Sequence, residues 1–230
     1  MKTLVVIPAR GGSKGVPGKN IKLLNEKPLI NYTLEAARKI FNDNDIVVST
    51  DDIRIKNAVE NVGLKVPFLR PENLATDTAT TQDVLLHAIS FFEENKYQTY
   101  DTLVLLQPTS PFRKENHIRE ALDIYKKNTG IDMVVSVKLT NSNPYYVLFE
   151  ENQDGYLEKS KKANVTRRQD APEVYEYNGA IYIIDIQSLL KSKMSDFTKV
   201  IKYVMDEESS HDIDTKLDWK IAELLINDDF

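Results

Sequence analysis

The chain has no cysteine among its 230 residues. This absence excludes disulfides, zinc–thiolate centres, iron–sulfur clusters and thiol nucleophiles. Long apolar runs are missing too: the opening MKTLVVIPA is too short for the hydrophobic region of a signal peptide. Nothing in the sequence approaches the roughly 20 consecutive apolar residues that a membrane helix needs. We therefore expect a cytoplasmic protein without a membrane partner.

Basic residues are outnumbered by acidic ones overall, 30 against 35, but they predominate at the N-terminus. The formal net charge is −5 and the pI is about 5.4, which argues against a nucleic-acid partner. The first 22 residues nevertheless lack acidic side chains and carry the basic residues Lys2, Arg10, Lys14, Lys19 and Lys22. A basic segment on an acidic protein predicts one local site for an anion.

The order of apolar segments predicts a single α/β domain over residues 1–230. Apolar runs without polar alternation predict buried strands at Thr3–Ile7, Asp45–Ser49, Lys65–Leu69, Asp101–Leu106 and Met133–Val137. Amphipathic periodicity predicts helices at Leu29–Ile40, Ile53–Val62, Thr78–Asn95, Glu115–Asn128 and Thr215–Ile226. Such alternation predicts a doubly wound, mostly parallel, Rossmann-like sheet, whose ligands bind beyond the carboxyl ends of the strands.

This alternation breaks near residue 140. Residues 140–172 are rich in tyrosine, asparagine and charge, and Asp154-Gly155 is a hairpin signal. We expect a small antiparallel excursion here. The chain then returns to regular elements, with strands at Gly179–Ile184 and Lys199–Val204 and a short helix at Ile186–Lys193.

The loop after the first strand, PARGGSKGVPGKN, combines four glycines with Arg10, Lys14 and Lys19. Glycines let backbone N–H groups approach an anion, and spaced cations can surround several phosphates. The loop is not a P-loop, because Ser13 replaces the first glycine of that motif and Asn20 replaces its magnesium-binding Ser or Thr. A solvated basic loop fits the composition as well, but the position after a buried strand favours an anion site.

Two other features have both a functional and a structural interpretation. Asp212 and Asp214, one residue apart in HDIDT, can converge on one hard cation or can cap the last helix. Arg167 and Arg168 can receive a carboxylate or can form an ordinary surface pair. The histidines lack the partners of a zinc site, and no G-x-S-x-G hydrolase elbow occurs.

Five ordered motifs, IPARGGSKG, LQPTSPFR, RRQDAP, YNGAIYI and DIDTKLDW, resemble those of the acylneuraminate (CMP-sialic acid) cytidylyltransferase family. The resemblance runs nearly from end to end. It implies a nucleotidyltransferase sheet and a reaction in which CTP and a nonulosonic acid, N-acetylneuraminic acid first, give a CMP-sugar and pyrophosphate. It also implies Mg²⁺, with Mn²⁺ as an alternative.

The same resemblance implies a role for individual residues. The implied nucleotide-binding residues are Arg10, Ser13, Lys14, Lys19, Asn20, Arg70, Ala79 and Thr81. Gln107 and Arg168 are implied to bind the sugar, and Asp212 and Asp214 the metal. The residues implied to act in catalysis are Arg10, Lys14, Lys19 and Asp212.

Departures from the family pattern leave the sugar open. Tyr146 stands where bacterial sialic acid enzymes often have lysine, and Glu176 where they often have arginine. Legionaminic, pseudaminic and Kdo-type acids remain alternatives, as does a non-catalytic nucleotide-binding homologue. By the same resemblance, residues 140–172 form a dimerisation insertion, so we expect a homodimer.

Overall fold

The computed structural model of the protein describes residues 1–95, 99–165 and 167–227. The strands are β1 (Thr3–Pro8), β2 (Leu23–Leu24), β3 (Lys27–Pro28), β4 (Ile46–Ser49), β5 (Thr102–Leu106), β6 (Met133–Leu139), β7 (Phe149–Glu151), β8 (Leu157–Lys159), β9 (Tyr175–Asp185) and β10 (Val200–Val204). Six of them form one sheet in the order β10-β6-β9-β5-β1-β4, while β2 pairs with β3 and β7 with β8.

The central sheet is mostly parallel, as the sequence predicts. β1 pairs in parallel with β4 and β5, and β10 pairs in parallel with β6. β9 alone among these six strands is reversed, and it pairs antiparallel with both β5 and β6. It also begins four residues earlier than predicted, at Tyr175 rather than Gly179. The register between β6 and β9 shifts between Val135 and Val137, next to the site described below.

Helices cover both faces of this sheet. They are α1 (Leu29–Arg38), α2 (Ile53–Asn61), α3 (Thr81–Glu94), α4 (Glu115–Lys127), α5 (Ile186–Lys191) and α6 (Lys216–Asn227). Val5 and Ile7 of β1 pack with residues of α1, α2 and α4 on one face. Leu4 and Val6 pack with residues of α3 and α5 on the other. Because neighbouring strand residues point to opposite faces, the apolar runs are buried on both sides, and the doubly wound prediction is confirmed.

A third, smaller core ties the glycine-rich loop to the end of the chain. It consists of Val16, Leu24, Leu29, Ile213, Trp219 and Ala222. Lys22 places its ammonium group 3.8 Å from the centre of the Trp219 ring, a cation–π contact that adds to this packing. The loop and α6 are therefore fastened to each other outside the main sheet.

The predicted strand at Lys65–Leu69 is wrong, whereas the predicted antiparallel excursion is confirmed. Residues 65–69 form no strand. Arg70 N donates to Thr50 O at 2.7 Å, but Pro67 and Pro71 have no N–H with which to continue a ladder. The predicted antiparallel excursion exists as the β7–β8 hairpin, whose turn uses Gly155 at φ 81°. Its role in dimerisation stays a prediction. Among the described residues, no helix has the length and apolarity needed to cross a membrane.

Candidate active site

A cavity of about 460 Å³ opens beyond the carboxyl ends of β1 and β5. It brings together most of the residues predicted to bind the nucleotide, the sugar and the metal. Its lining includes Arg10, Ser13, Lys14, Lys19, Asn20, Arg70, Ala79, Thr81, Gln107 and Asp214. We call it the cationic cavity, because four of these side chains are cations and the carboxylates on its wall are Asp77 and Asp214.

The start of the glycine-rich loop is fixed by the loop that follows β4. Ala9 N donates to Ser49 O at 2.9 Å, and Gly11 N donates to Asp51 Oδ1 at 3.0 Å. Further along, Asn20 Nδ2 donates to Arg10 O at 3.0 Å, which joins the two ends of the loop. The loop thus has a definite shape, and the interpretation as a merely solvated segment is wrong.

Backbone geometry explains why two positions in the loop, 15 and 18, are glycine. Gly18 has φ 64°, a left-handed conformation that residues with a Cβ seldom adopt, and it precedes the short 3₁₀ turn Lys19–Ile21. Gly15 lies against the backbone carbonyl of Asp214, so closely that an added Cβ would overlap that oxygen. The loop therefore touches the acidic pair directly.

Lys19 makes the same connection through its side chain. It is 8% exposed, and its Nζ donates to Ile213 O and to Asp214 Oδ1, the latter at 3.0 Å. A buried ammonium group held by a carboxylate and a carbonyl has few alternative positions. Lys19 is accordingly the most rigidly held cation of the loop.

Arg10 and Lys14 are held differently, by a carboxylate that the sequence reasoning missed. Arg10 Nη1 lies 2.9 Å from Asp77 Oδ1, and Lys14 Nζ lies 2.6 Å from Asp77 Oδ2. Bonds from Lys14 and then Arg10 lower the pKa of Asp77, so it is ionised at neutral pH. Nothing in the local sequence distinguishes Asp77 from a loop acid, because its partners lie more than sixty residues away.

Arg70 also lines the cationic cavity. It is 6% exposed, and its guanidinium donates to Ser49 Oγ at 3.0 Å and to Ser49 O. Burial lowers its pKa to about 10, still well above neutrality. Ala79 and Thr81 lie on the same wall, where Thr80 caps α3 by accepting from Asp83 N at 3.2 Å.

Asp212 lies between Gln107 and β9. A Cβ built on Gly179 would lie 3.7 Å from Asp212 Oδ2 and 3.9 Å from Gln107 Nε2, so glycine leaves room for both side chains. Asp212 Oδ1 is buried and has no hydrogen-bond partner among the described residues. Burial raises the pKa of Asp212, a hydrogen bond from Thr109 offsets part of this rise, and the neighbouring Asp214 charge adds to it. A cation beside this carboxylate would stabilise its ionised form.

The helix-cap interpretation of the acidic pair is wrong. Thr215 caps α6, since Asp218 N donates to Thr215 Oγ1 at 3.2 Å and Thr215 N donates to Asp218 Oδ2 at 2.6 Å. The described residues contain no group of three or more His, Asp or Glu side chains arranged for a metal. Mg²⁺ commonly takes only one or two protein carboxylates and completes its shell with phosphate and water, so Asp212 and Asp214 fit such an ion.

A second cavity, of about 610 Å³, shares Asp214 with the first. We call it the acidic cavity, because its wall carries six carboxylates, Glu176, Glu207, Glu208, Asp212, Asp214 and Asp218. Its cation Lys138 pairs with Glu207 at 3.3 Å, and Tyr177, Ile221 and Leu225 add apolar surface. The two cavities meet at the acidic pair.

Arg168 lies in neither cavity. It is exposed in a 3₁₀ turn, donates to Asn141 Oδ1 and lines a separate depression beside β6. Arg167 forms a local pair with Asp170 at 2.7 Å. The predicted binding of a sugar carboxylate by Arg168 is not tested by this arrangement and stays a prediction.

Arg113 is a second residue that the sequence reasoning passed over. It is the buried last residue of the QPTSPFR loop and donates to Gln107 O at 3.1 Å, Ala180 O at 2.8 Å and Thr33 Oγ1 at 2.6 Å. It thereby holds the end of β5 against β9. A buried arginine amid carbonyl oxygens has no signature in a single sequence.

Chemically, the cationic cavity is suited to a polyanion. Two exposed or partly exposed cations, Arg10 and Lys14, and two buried ones, Lys19 and Arg70, surround a space next to two carboxylates able to hold a divalent ion. Charge that develops on a departing phosphate would be stabilised there by groups already in position.

Comparison with known proteins agrees with this chemistry. A family model described as cytidylyltransferase matches residues 4–224. The CMP-N,N'-diacetyllegionaminic acid synthase of Legionella pneumophila is 38% identical over 98% of this chain and 97% of its own. The N-acylneuraminate cytidylyltransferase of Escherichia coli is 37% identical over 96% of this chain but 51% of its own.

A solved structure shares the fold. The CMP:2-keto-3-deoxy-manno-octonic acid synthetase complexed with CTP superposes with a TM-score of 0.72 at 18% identity, covering 98% of each chain. At that identity the likeness concerns the arrangement of the sheet and helices.

Proposed function

The chain belongs to the cytidylyltransferase family, and on that premise we propose that it transfers CMP from CTP to the anomeric hydroxyl of a nonulosonic acid. The hydroxyl oxygen forms a bond to the α-phosphorus, the bond from that phosphorus to the bridging oxygen breaks, and pyrophosphate leaves. The hydroxyl proton passes to solvent. The observation that carries the proposal is the buried Lys19, joined to Asp214 at the meeting point of the cationic and acidic cavities.

Within this reaction the loop cations stabilise the triphosphate. Arg10 and Lys14 reach the open side of the cationic cavity, where the β- and γ-phosphates would lie. Lys19 is fixed beside the acidic pair, where the α-phosphate must sit if it is to be attacked from the acidic cavity. Preset cations of this kind offset the charge of the leaving group without rearrangement during the reaction.

The nucleoside would occupy the wall formed by Arg70, Ala79 and Thr81. Asn20 and Ser13 complete the lining on the loop side. The motif resemblance assigns this wall to the cytosine base of CTP.

A magnesium ion, with Mn²⁺ as an alternative, would be held by Asp212 and Asp214. The unpartnered Oδ1 of Asp212 and its raised pKa support this assignment. When bound, the ion would act as a Lewis acid that withdraws charge from the phosphates. Gln107, 3.9 Å from the Cβ position of Gly179, is oriented toward the same region and would contact the sugar.

Among nonulosonic acids, we place N,N'-diacetyllegionaminic acid first and N-acetylneuraminic acid second. Two acetamido groups bring two N–H donors and two methyl groups. The acidic cavity offers carboxylate acceptors together with Ile221 and Leu225. A relative that acts on that compound by name also matches over nearly its whole length. N-acetylneuraminic acid keeps the support of the motif resemblance, and pseudaminic and Kdo-type acids are less favoured alternatives.

The homodimer predicted from the sequence remains part of the proposal. The segment 140–172 exposes several large apolar side chains, namely Val147, Leu148, Phe149, Tyr156 and Leu157. Burial of such a surface against a second copy would explain its composition. Arg168, which lines neither cavity of its own subunit, would then be available to a site on the partner.

The test is a pyrophosphate-release assay with CTP, Mg²⁺ and a panel of the four acids. We expect release with an N-acylated acid, and none when CTP is replaced by ATP. The variant Asp212→Asn should lower kcat by about 100-fold or more, with an unchanged melting temperature. Asp123→Asn, at an exposed position on α4, is the matched control. No release with any acid would overturn the proposal.

A further inference from the structure

Asp77 occupies an unusual position for an acidic residue. It lines a cavity that is otherwise suited to phosphate, and its two carboxylate oxygens are divided between two cations. Oδ1 pairs with Arg10 at 2.9 Å and Oδ2 with Lys14 at 2.6 Å. Two oxygens sharing one negative charge and facing two cations are what a phosphate group would also present there.

The contact does not serve the packing of the protein. Asp77 has 52% of its side chain exposed, Lys14 has 75% and Arg10 has 36%. Exposed ion pairs contribute little to stability. Lys19 differs, because it is buried and bound to Asp214 whether or not Asp77 is present. Arg10 and Lys14, by contrast, have no carboxylate partner other than Asp77 among the described residues.

Asp77 also lies where the backbone can release it. It belongs to a bend between the 3₁₀ turn Glu72–Leu74 and α3. The start of α3 is secured by the capping pair Thr80 and Asp83, with Thr80 N donating to Asp83 Oδ2 at 3.0 Å. Withdrawal of the Asp77 side chain would thus leave the helix and the cavity wall intact.

We propose that Asp77 is an internal counter-anion that binds Arg10 and Lys14 in the free enzyme and is exchanged for the phosphates of the incoming nucleotide. This inference rests on the proposed function. The exchange weakens binding of any ligand that must engage both cations, and it leaves unaffected a ligand without phosphates. It also favours departure of pyrophosphate, because Asp77 returns to the same cations.

The variant Asp77→Asn tests this by calorimetry with CTP, inorganic pyrophosphate and cytidine, in the presence of a metal chelator. Loss of two exposed pairs should tighten CTP and pyrophosphate binding by about three- to tenfold, the range such pairs allow. Cytidine affinity should not change. Asp123→Asn, which removes an equally exposed charge near Lys126, should change none of the three.

Other outcomes are also decisive. If Asp77→Asn binds CTP and pyrophosphate more weakly or equally, Asp77 does not compete with phosphate, and the inference is wrong. Asp77→Glu should bind CTP as the natural protein does, which separates loss of charge from disturbance of the bend. If the protein binds pyrophosphate but converts none of the four acids to a CMP-sugar, the proposed function is wrong. The effect of Asp77→Asn on pyrophosphate binding would still show whether Asp77 competes with phosphate. Failure to bind either phosphate ligand would refute both.

Discussion

The two cavities that meet at Asp214 are built in different ways. The cationic cavity takes most of its charge from one continuous loop, whose shape is set by hydrogen bonds to the ends of β4 and to its own backbone. The acidic cavity is assembled from β6, β9, the segment before α6 and α6 itself. A loop that binds phosphate can keep one design for every member of a family, whereas a wall made from four separate elements can change piece by piece. The first is thus suited to the nucleotide and the second to a variable sugar.

The largest effect is expected where the two cavities are joined. Replacement of Gly15 by alanine would drive a methyl group into the Asp214 carbonyl, so the loop must move away from the acidic pair. Displacements of about 1 Å can cost 100-fold in turnover. We expect kcat to fall at least that far while circular dichroism is unchanged. Gly12→Ala, where no atom lies within 4 Å of the new Cβ, is the control.

The next effect should be confined to the cationic cavity. Arg10→Ala removes charge-assisted bonds worth about 1.5–3 kcal/mol, so the KM for CTP should rise about ten- to a hundredfold. The KM for the acid, measured at saturating CTP, should stay within twofold. Equal changes in both constants would mean that the cavities do not act separately. Lys126→Ala, an exposed cation on α4, is a suitable control.

A smaller effect is expected in the acidic cavity. Glu176 faces the proposed place of an anionic sugar, so Glu176→Gln should lower the KM for the acid by about two- to fivefold, the range for exposed charges. CTP kinetics should be unaffected. A rise in the KM for the acid would instead assign Glu176 a direct hydrogen bond to the substrate.

The smallest effect concerns the protonation of His87, a histidine close enough to Arg70 to be affected by its charge. Burial, and then the positive charge of Arg70, lower the pKa of His87. The unfolded chain therefore binds a proton below about pH 6.5 that the folded chain does not, and wild-type stability falls as the pH is lowered through that range. His87 thus contributes to the slope of the unfolding free energy against pH, by at most about 1.4 kcal/mol per pH unit. In His87→Phe this contribution should disappear. Urea unfolding at pH 8 and pH 5.5 measures it, and a larger slope in the variant would contradict the assignment.

Much of the cationic cavity could be predicted because its residues are neighbours in sequence. The glycines and lysines of one short loop after a buried strand must lie near each other in space. The family motifs supplied Arg70 and Gln107. Asp77 could not be found in this way, since its partnership depends on two loops folding toward each other. The buried Arg113 and the Asp212–Gly179 contact likewise depend on how β9 packs beside β5.

The fold followed from periodicity for a similar reason. Strands buried on both faces have continuous apolar runs, and every such run but one became a strand of the central sheet. The exception, Lys65–Leu69, is interrupted by Pro67, and only Val66 of this segment is buried, so the segment does not join the sheet. The reversal of β9 has no signature in periodicity, because a buried strand reads the same in either direction.

That reversal has a consequence for how the molecule can diversify. If β9 were parallel to β6, the connection between them would have to run back along the whole length of the strands. Because β9 is antiparallel to β6, the connection over residues 140–174 begins and finishes at the same end of these two strands, beside the acidic cavity. This stretch can be lengthened, shortened or exchanged without altering the pairings of the six-stranded sheet. It can therefore vary between relatives while the central sheet stays unchanged.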